Sequence, residues 1–211
     1  MSRGLVLSGL RIALGPRILI ADLDLAVAPG AIVTVMGPSG SGKSSLLAAI
    51  GGWIEPAFTV SGEMRLDSEP LAGVPPERRR IGILFQDPLL FPHLSVGRNL
   101  AFALPASIRG PERRRRIDAA LEAAELPGYA DRDPATLSGG QKARIALLRT
   151  LLSEPRALLL DEPFNRLDSD LRDRIRQFVF AHARRADLPT LLVTHDEDDV
   201  PEAGALIRLG S

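Results

Sequence analysis

A stretch of eight residues rich in glycine and serine decides the fold of this chain, Gly37-Pro38-Ser39-Gly40-Ser41-Gly42-Lys43-Ser44. The short, apolar and β-branched segment before it, residues 31–36, is typical of a buried parallel strand. Residues 45–50 have the pattern of the first turns of a helix. A strand, a loop with the spacing G-x-x-x-x-G-K-S and a helix together form a phosphate-binding P-loop, in which backbone N–H groups converge on phosphate oxygens.

The side chains of this stretch predict a nucleotide site. Lys43 is expected to reach the β- and γ-phosphates, and the Ser44 hydroxyl is expected to contact Mg²⁺. A glycine-rich turn can match the spacing by chance, but Lys43 is one of only two lysines in the chain, the other being Lys142. The predicted nucleotide-binding residues are therefore the whole stretch together with Ser45.

The composition excludes several classes of protein. A chain of 211 residues with 45% hydrophobic and 25% charged residues is long enough for one domain with an inserted subdomain. A formal net charge of zero argues against a nucleic-acid partner, and the lack of cysteine excludes disulfides and thiolate metal sites. The sequence shows no signal-peptide pattern and no apolar run of about 18 residues, so we expect a soluble, cytoplasmic protein.

Hydrophobic periodicity predicts an α/β fold, a P-loop core with a parallel sheet, an N-terminal antiparallel β piece and an inserted helical subdomain. Residues 4–29 alternate apolar and polar around Gly15-Pro16, which predicts an antiparallel hairpin. Further strands are expected at 62–66, after an irregular segment 51–62, and at 81–85, 157–160, 190–194 and 206–209. Helices are expected at 96–104 behind the cap Ser95, and at 111–125, 138–153 and 168–186. The predicted division is a core of residues 1–86 and 154–211 and a helical subdomain of residues 87–153.

Polar residues end three of the predicted parallel strands, namely Gln86, the pair Asp161-Glu162, and His195. Ligands bind at this edge of open α/β sheets, so these side chains are expected to converge on a nucleotide. Asp161 suits a Mg²⁺-organising carboxylate, and Glu162 suits the general base for the attacking water. Gln86 would link Mg²⁺ with that water, and His195 would contact the γ-phosphate. Each of them alone is equally well explained as a polar cap of a strand end.

A second motif, Leu137-Ser138-Gly139-Gly140-Gln141, lies in the predicted helical subdomain. Ser-x-x-Gln is a capping box at a helix start. Two glycines in a first turn cost stability, which favours a role in which something approaches the backbone closely. A helix N-terminus of this kind is an anion site, so the chain would have two separate half-sites for phosphate.

These motifs together resemble the ATP-binding cassette (ABC) ATPases, with matching order and spacing over essentially the whole chain. Walker A is Gly37–Ser44, the Q-loop residue is Gln86, Walker B ends at Asp161 with Glu162 after it, and the switch histidine is His195. The signature is Leu137–Gln141, and the D-loop is Asn165-Arg166-Leu167-Asp168. The resemblance implies ATP and Mg²⁺ as ligands and a head-to-tail homodimer. In that dimer Ser138, Gly139, Gly140, Gln141 and Asp168 would close over the nucleotide of the other chain.

Within the family, residues 81–96 resemble the ATPase subunits of bacterial binding-protein-dependent importers, most closely short subunits of the thiamine type. The resemblance implies a membrane permease contacted near Leu89–Leu94, a substrate-binding protein as an indirect partner, and a position on the inner face of the cell membrane. Core packing explains the apolar residues of that segment equally well. An exporter or lipid/lipoprotein-handling subunit, and a soluble, non-transport ABC protein acting on nucleic acid or ribosomes, are the alternatives.

The chain departs from the family pattern at three places. Leu14 stands where the family usually has an aromatic residue stacked on adenine, and Asn165-Arg166 replaces Ser-Ala or Ser-Asn in the D-loop. The sequence also ends at Ser211, before the family's usual last strand and helix. The basic run Arg113–Arg116 is best explained as a solvated helix face.

Overall fold

The computed structural model describes residues 3–210 and confirms the predicted α/β fold. In chain order its elements are β1 (Leu5–Leu14), β2 (Arg17–Val27), β3 (Ile32–Met36), α1 (Lys43–Gly51), β4 (Phe58–Leu66), β5 (Glu69–Pro70), α2 (Pro76–Arg79), β6 (Ile81–Leu84), α3 (Val96–Ala103), α4 (Gly110–Ala123), α5 (Gly139–Leu152), β7 (Ala157–Asp161), α6 (Ser169–Arg185), β8 (Thr190–Val193) and β9 (Ala205–Arg208). None of the helices within this range combines the length and the apolar character that crossing a bilayer requires.

The N-terminal strands form an antiparallel sheet in the order β2-β1-β4-β5. The predicted hairpin is present, and its register pairs Leu5 with Val27 and Leu14 with Arg17. Leu5 and Leu7 of β1, and Leu10 and Ile12 beyond a register shift between Leu7 and Leu10, are fully buried. Because a strand has a side-chain period of two, one face of this sheet covers the core and the other faces solvent.

The second sheet has the strand order β6-β7-β8-β3-β9. Strand β3 pairs in parallel with β8 and β9, and β7 pairs in parallel with β8. All five residues of β3 and all four of β8 are buried, as expected for continuous apolar strands covered on both faces. Parallel order brings the ends of β3, β7 and β8 to one edge, where the P-loop, Asp161 and His195 follow.

The chain folds into two compact units. The first takes in the chain up to Ile83, the segment Arg156–Glu162 and the chain from Val179 onward; its core joins α1 with both sheets. The second comprises Leu84–Pro155 and Pro163–Phe178. It thus contains the predicted helical segment together with residues 163–178, which the predicted division assigned to the α/β core.

The second unit has its own apolar core, to which α3, α4 and α5 contribute. The three predicted helices of this unit are present, with ends within two residues of the expected positions. Ser95 caps α3 as expected, since its Oγ accepts a hydrogen bond of 3.3 Å from the backbone N–H of Arg98. Capping of this kind satisfies one of the unpaired donors of the first helical turn.

The expectation of an irregular segment at 51–62 is wrong in its second half, because β4 begins at Phe58. Apolar and polar residues alternate along β4, with Phe58, Val60, Met64 and Leu66 on its less exposed side, so the prediction began the strand four residues too late. Gly62, at φ +96°, lies where an added Cβ would be 2.4 Å from the carbonyl oxygen of Gly9. The close approach of the two backbones explains the glycine within the strand.

Candidate functional site

The P-loop connects β3 to α1 and needs glycine at both ends. Gly42 immediately precedes α1 with φ +95°, and a Cβ there would lie 3.1 Å from the Cβ of Leu19. At Gly37 a Cβ would lie 2.6 Å from the carbonyl oxygen of Leu209. A side chain at Gly37 would collide with the backbone of Leu209, and one at Gly42 would crowd Leu19 in a strained left-handed conformation, so packing favours glycine at both positions.

The loop presents donors that fit a triphosphate. No side chain caps the first turn of α1, whose N–H groups and dipole favour an anion. The Oγ of Ser41 is buried with no hydrogen-bond partner among the described residues. Lys43 extends its ammonium group over the loop and donates to the carbonyl oxygens of Gly37 at 2.6 Å and Pro38 at 2.9 Å. The cation is therefore held at the loop itself, and its contact with the β- and γ-phosphates stays a prediction.

Asp161, the last residue of β7, lies beside the P-loop. Its carboxylate accepts a hydrogen bond from the Ser44 hydroxyl and is close to Lys43. Burial raises the pKa of Asp161 and the charge of Glu162 raises it further, whereas Lys43 and Ser44 oppose the shift. A hydroxyl and a carboxylate in contact are hard oxygen ligands of the kind that Mg²⁺ prefers, so the two residues fit that ion.

Glu162 and His195 meet at the same edge of the parallel sheet. The Nδ1 of His195 lies 3.2 Å from the Oε1 of Glu162, and the backbone N–H of Glu162 donates to the carbonyl oxygen of Val193. Glu162 has φ +47°, a left-handed conformation that is costly for a residue with a Cβ. Its side chain is only 19% exposed, compared with 63% for His195. The glutamate is therefore fixed in position, and the histidine is open to solvent.

A short hydrogen-bonded loop holds His195, and sequence reasoning did not find it. The fully buried Thr194 donates its hydroxyl proton to Asp199 at 2.9 Å and accepts from the backbone N–H of Asp196 at 3.1 Å. Asp199 stands four residues beyond the histidine in an acidic run. Nothing in the sequence distinguishes it from its exposed acidic neighbours.

The signature motif of the second unit forms the predicted capping box. The Oγ of Ser138 accepts from the backbone N–H of Gln141 at 3.2 Å, and the Gln141 side chain accepts from the backbone N–H of Ser138 at 2.9 Å. Gln141 also donates to the Tyr129 hydroxyl at 3.1 Å, and Arg132 lies 4.0 Å from the centre of the tyrosine ring. Tyr129 thus supports the signature from a loop that carries no recognisable motif.

The two signature glycines have different surroundings. A Cβ on Gly140 would lie 3.2 Å from the carbonyl oxygen of Arg166, so the D-loop of the same chain accounts for this glycine. A Cβ on Gly139 would meet nothing within 4 Å among residues 3–210. The sequence interpretation, that both glycines leave room for an approaching group, therefore needs correction for Gly140. The unusual D-loop residue Arg166 forms an ion pair with Asp87, next to the Q-loop residue.

Gln86 and Asp168 both belong to the second unit and both are exposed. Their predicted contacts with Mg²⁺ and with a partner's nucleotide stay predictions. The segment after Gln86 carries an exposed apolar patch, which we define as Leu89, Phe91 and Phe102. Leu89 is 59% and Phe102 70% exposed, and the rings of Phe91 and Phe102 meet edge to face with centroids 4.9 Å apart.

Arg149 of α5 fixes the apolar patch in place. Its guanidinium donates to the carbonyl oxygens of Leu89 at 2.9 Å and Pro88 at 3.4 Å. The same group lies 5.2 Å from the centre of the Phe91 ring, within the range of a cation–π interaction. The patch is therefore a supported surface, and its apolar side chains are exposed although the chain segment is anchored.

Comparison with known proteins agrees with this geometry. The family model for the ABC transporter matches residues 20–165. The chain is 49% identical to the uncharacterized ABC transporter ATP-binding protein YnjD of Escherichia coli, over 90% of this chain and 88% of that protein. It is 42% identical to the spermidine/putrescine import ATP-binding protein PotA of Frankia alni, over 85% of this chain but only 38% of the length of PotA.

Solved structures extend the comparison to the fold. The dimeric, post-hydrolysis structure of the ATP-binding cassette MJ0796 bound to ADP and Pi is 31% identical, with a TM-score of 0.81 over 97% of this chain and 94% of that one. A bacterial Atm1-family ABC exporter with ATP bound is 26% identical, with a TM-score of 0.82 over 99% of this chain and 37% of that one. The chain therefore belongs to the ABC transporter ATP-binding family, and the reaction it catalyses is the hydrolysis of ATP.

Proposed function

We propose that this ATPase energises the import of a small solute through a membrane permease. The observation that carries the proposal is the exposed apolar patch of Leu89, Phe91 and Phe102, which Arg149 anchors from behind. Exposed apolar side chains that are held rigidly favour a protein interface. The printed name of PotA, an import ATP-binding protein at 42% identity, supports the importer over the exporter.

Hydrolysis requires the side chains at the edge of the parallel sheet. In the proposed mechanism, the oxygen of a water molecule attacks the γ-phosphorus, Glu162 takes the proton of that water, and ADP leaves with its bridging oxygen. His195, 3.2 Å from Glu162, orients the base and contacts the γ-phosphate. Lys43 holds the β- and γ-phosphates at the loop.

Mg²⁺ is the proposed metal, held by Ser44 and Asp161 together with nucleotide phosphates. Magnesium usually binds through one or two protein ligands and keeps its remaining positions for phosphates and water. This fits the described part of the chain, which has no cluster of three or more histidine and acidic residues suited to a metal ion. When bound, the ion would neutralise charge that develops on the phosphates.

The proposed active form is a head-to-tail dimer with two shared sites. The open surroundings of Gly139 support it, because no contact among residues 3–210 requires a glycine there. The dimeric structure of MJ0796 supports a dimer as such, and the head-to-tail arrangement is part of the proposal. In such a dimer the signature residues Ser138–Gln141 and Asp168 of one chain would face the nucleotide in the P-loop of the other.

Co-purification from native membranes tests the partner. Tagged wild-type chain, a Leu89→Ser/Phe102→Ser variant, and an Arg114→Ser control on an exposed face of α4 would be extracted in mild detergent. We expect a polytopic permease with the wild type and the control, and at least a tenfold smaller yield with the double variant, while ATP binding stays equal. Equal recovery by all three proteins would contradict the assigned surface.

The proteins that co-purify with this chain distinguish an importer from the alternative functions. An extracytoplasmic substrate-binding protein recovered with the permease supports import. Recovery of this chain with an export permease, or with ribosomal components, would overturn the proposal that it energises import. The thiamine-type branch is the finer proposal, and thiamine uptake by cells with and without the gene for this chain tests it.

A further inference from the structure

Three side chains from neighbouring strands form a row on one face of the antiparallel sheet. Leu14 of β1 is paired with Arg17 of β2 and with Phe58 of β4. Directly paired residues of antiparallel strands point to the same face and lie within side-chain contact distance. Phe58 is half-buried against the core, and Leu14 is 41% exposed. The row therefore runs from an aromatic ring through an aliphatic side chain to a guanidinium group.

The guanidinium end of the row touches the P-loop. The Nη2 of Arg17 donates to the carbonyl oxygen of Gly40 at 3.2 Å. Two residues further along β2, the Cβ of Leu19 lies 3.1 Å from the position of a Cβ on Gly42. The end of the hairpin thus borders the proposed phosphate-binding loop, and a nucleoside extending from the loop on this side would meet Leu14 and Arg17.

The chemistry of arginine at this border suits a nucleobase. A guanidinium is planar, carries five N–H donors, and stacks on base faces. Arg17 uses one donor for Gly40, and its remaining edge is exposed. Guanine offers two adjacent acceptors, O6 and N7, which arginine contacts in a bidentate manner, whereas adenine offers N7 beside the N6 donor. Leu14, next to it in the row, has no π-face.

We propose that Arg17 reads the base of the bound nucleotide, so that the site accepts guanine nucleotides at least as well as adenine nucleotides. Phe58 and Leu14 form the apolar part of the same surface. The inference rests on nucleotide binding in the P-loop and adds a residue that determines base specificity. It also implies that GTP can support the transport cycle.

Equilibrium binding of four ligands tests the proposal. ATP, GTP, ITP and inorganic tripolyphosphate would be titrated with Mg²⁺ against the wild type, Arg17→Gln, Arg17→Lys and Arg11→Gln. Inosine has the O6 and N7 of guanine without its 2-amino group, so ITP should follow GTP if the O6/N7 edge is read. Arg11 is an exposed arginine of the same sheet, so Arg11→Gln controls for the loss of one positive charge.

We expect the wild type to bind GTP and ITP at least as tightly as ATP. Arg17→Gln should weaken both by about fivefold to tenfold and ATP by less than about threefold. Arg17→Lys keeps the charge but cannot make a bidentate contact, so it should also lose the preference for GTP and ITP. Arg11→Gln should bind all four ligands like the wild type, and melting curves would confirm that each variant is folded.

Two results would overturn the assignment of Arg17. A strong wild-type preference for ATP, unchanged in Arg17→Gln, would mean that the base is read elsewhere. An equal loss for all four ligands, tripolyphosphate included, would make Arg17 a phosphate ligand. A wild type that bound none of the four would instead refute the nucleotide site itself.

Discussion

At the edge of the parallel sheet, the residue proposed to act in hydrolysis is different from the residues proposed to bind the nucleotide. Glu162 is fixed by its backbone bond to Val193 and lies 3.2 Å from His195, whereas the phosphate-binding groups belong to the P-loop. Glu162→Gln keeps the volume of the side chain and removes the carboxylate proposed as the base. We therefore expect unchanged ATP affinity, hydrolysis slowed by at least about a hundredfold, and an ATP-trapped dimer in gel filtration.

Glu202→Gln is a suitable control, because Glu202 is exposed and lies away from this edge of the sheet. It should hydrolyse ATP like the wild type. Hydrolysis by Glu162→Gln at the wild-type rate would remove Glu162 from the role of base.

Asp161 is suited to the proposed binding of Mg²⁺, but burial of its charge costs stability of the folded protein. Burial and the charge of Glu162 raise the pKa of Asp161, so the folded protein binds the proton more tightly than the unfolded chain. Its contribution to the free energy of unfolding therefore falls as pH rises from the ordinary aspartate pKa, about 3.9, to the raised one.

Asp161→Asn removes the buried charge. Without nucleotide and Mg²⁺, it should raise the melting temperature at neutral pH by on the order of 2 °C, with a gain that disappears below about pH 4. ATP hydrolysis should be lost. A lower melting temperature of the variant at pH 7, measured by calorimetry, would show that the contacts with Ser44 and Lys43 outweigh the burial of the charge.

At the scale of the element, α1 is stabilised at its C-terminal end by an arginine from another part of the sequence. Arg79 is 8% exposed and donates to the carbonyl oxygens of Ala49 at 2.8 Å and Ile50 at 2.6 Å. A cation there satisfies unpaired carbonyls and complements the negative end of the helix dipole.

Arg79→Met should lower the free energy of unfolding by about 2–4 kcal/mol, because buried carbonyls lose a charged donor. The neighbouring and exposed Arg78→Met is the matched control, with an expected change below about 0.5 kcal/mol. Urea denaturation measures both. Equal stabilities of the two variants would mean that water replaces the guanidinium without cost.

A substitution at the start of α5 can distinguish the stability of the single chain from the ATPase activity of the proposed dimer. Gly139→Ala meets no atom of its own chain, so the isolated chain should keep its stability or gain up to about 1 kcal/mol of helix propensity. Its ATPase rate should nevertheless fall at least about tenfold, since the added methyl group would face the nucleotide of the partner. Denaturation and steady-state hydrolysis of the same preparation test both expectations, and a normal rate would refute the shared site.

Elements whose patterns are local were predictable from sequence, and contacts between distant residues were not. Strands β3, β7 and β8 are continuous apolar runs, and Asp161 and Glu162 follow directly from a strand end beside a P-loop. Only the second half of β4 was predicted, although residues 58–61 already alternate apolar and polar as a strand does. The bonds of Arg79 to α1 and of Tyr129 to Gln141 join segments separated by about 30 and 12 residues, and no local motif encodes them.

At the scale of the whole molecule, two half-sites on one chain predict a rate that depends on assembly. Hydrolysis per chain should rise with protein concentration through the micromolar range and level off when dimers predominate. Serial dilution with a coupled phosphate assay, alongside gel filtration, checks this. A rate per chain that stayed flat while the protein remained monomeric would show that one chain hydrolyses ATP alone.

The contact of Gly37 with the segment after β9 has a consequence for the newly made chain. The N–H of Leu209 donates to the carbonyl oxygen of Met36 at 2.8 Å, and the carbonyl oxygen of Leu209 lies where a Cβ on Gly37 would be. The P-loop is translated within the first 45 residues, yet its packing is complete only after residue 209 has left the ribosome. Since translation proceeds at about 5–20 residues per second, this contact can form only on the order of ten seconds after the P-loop has been made. Until then the P-loop of the nascent chain lacks its contact with Leu209, and the parallel sheet lacks its edge strand β9.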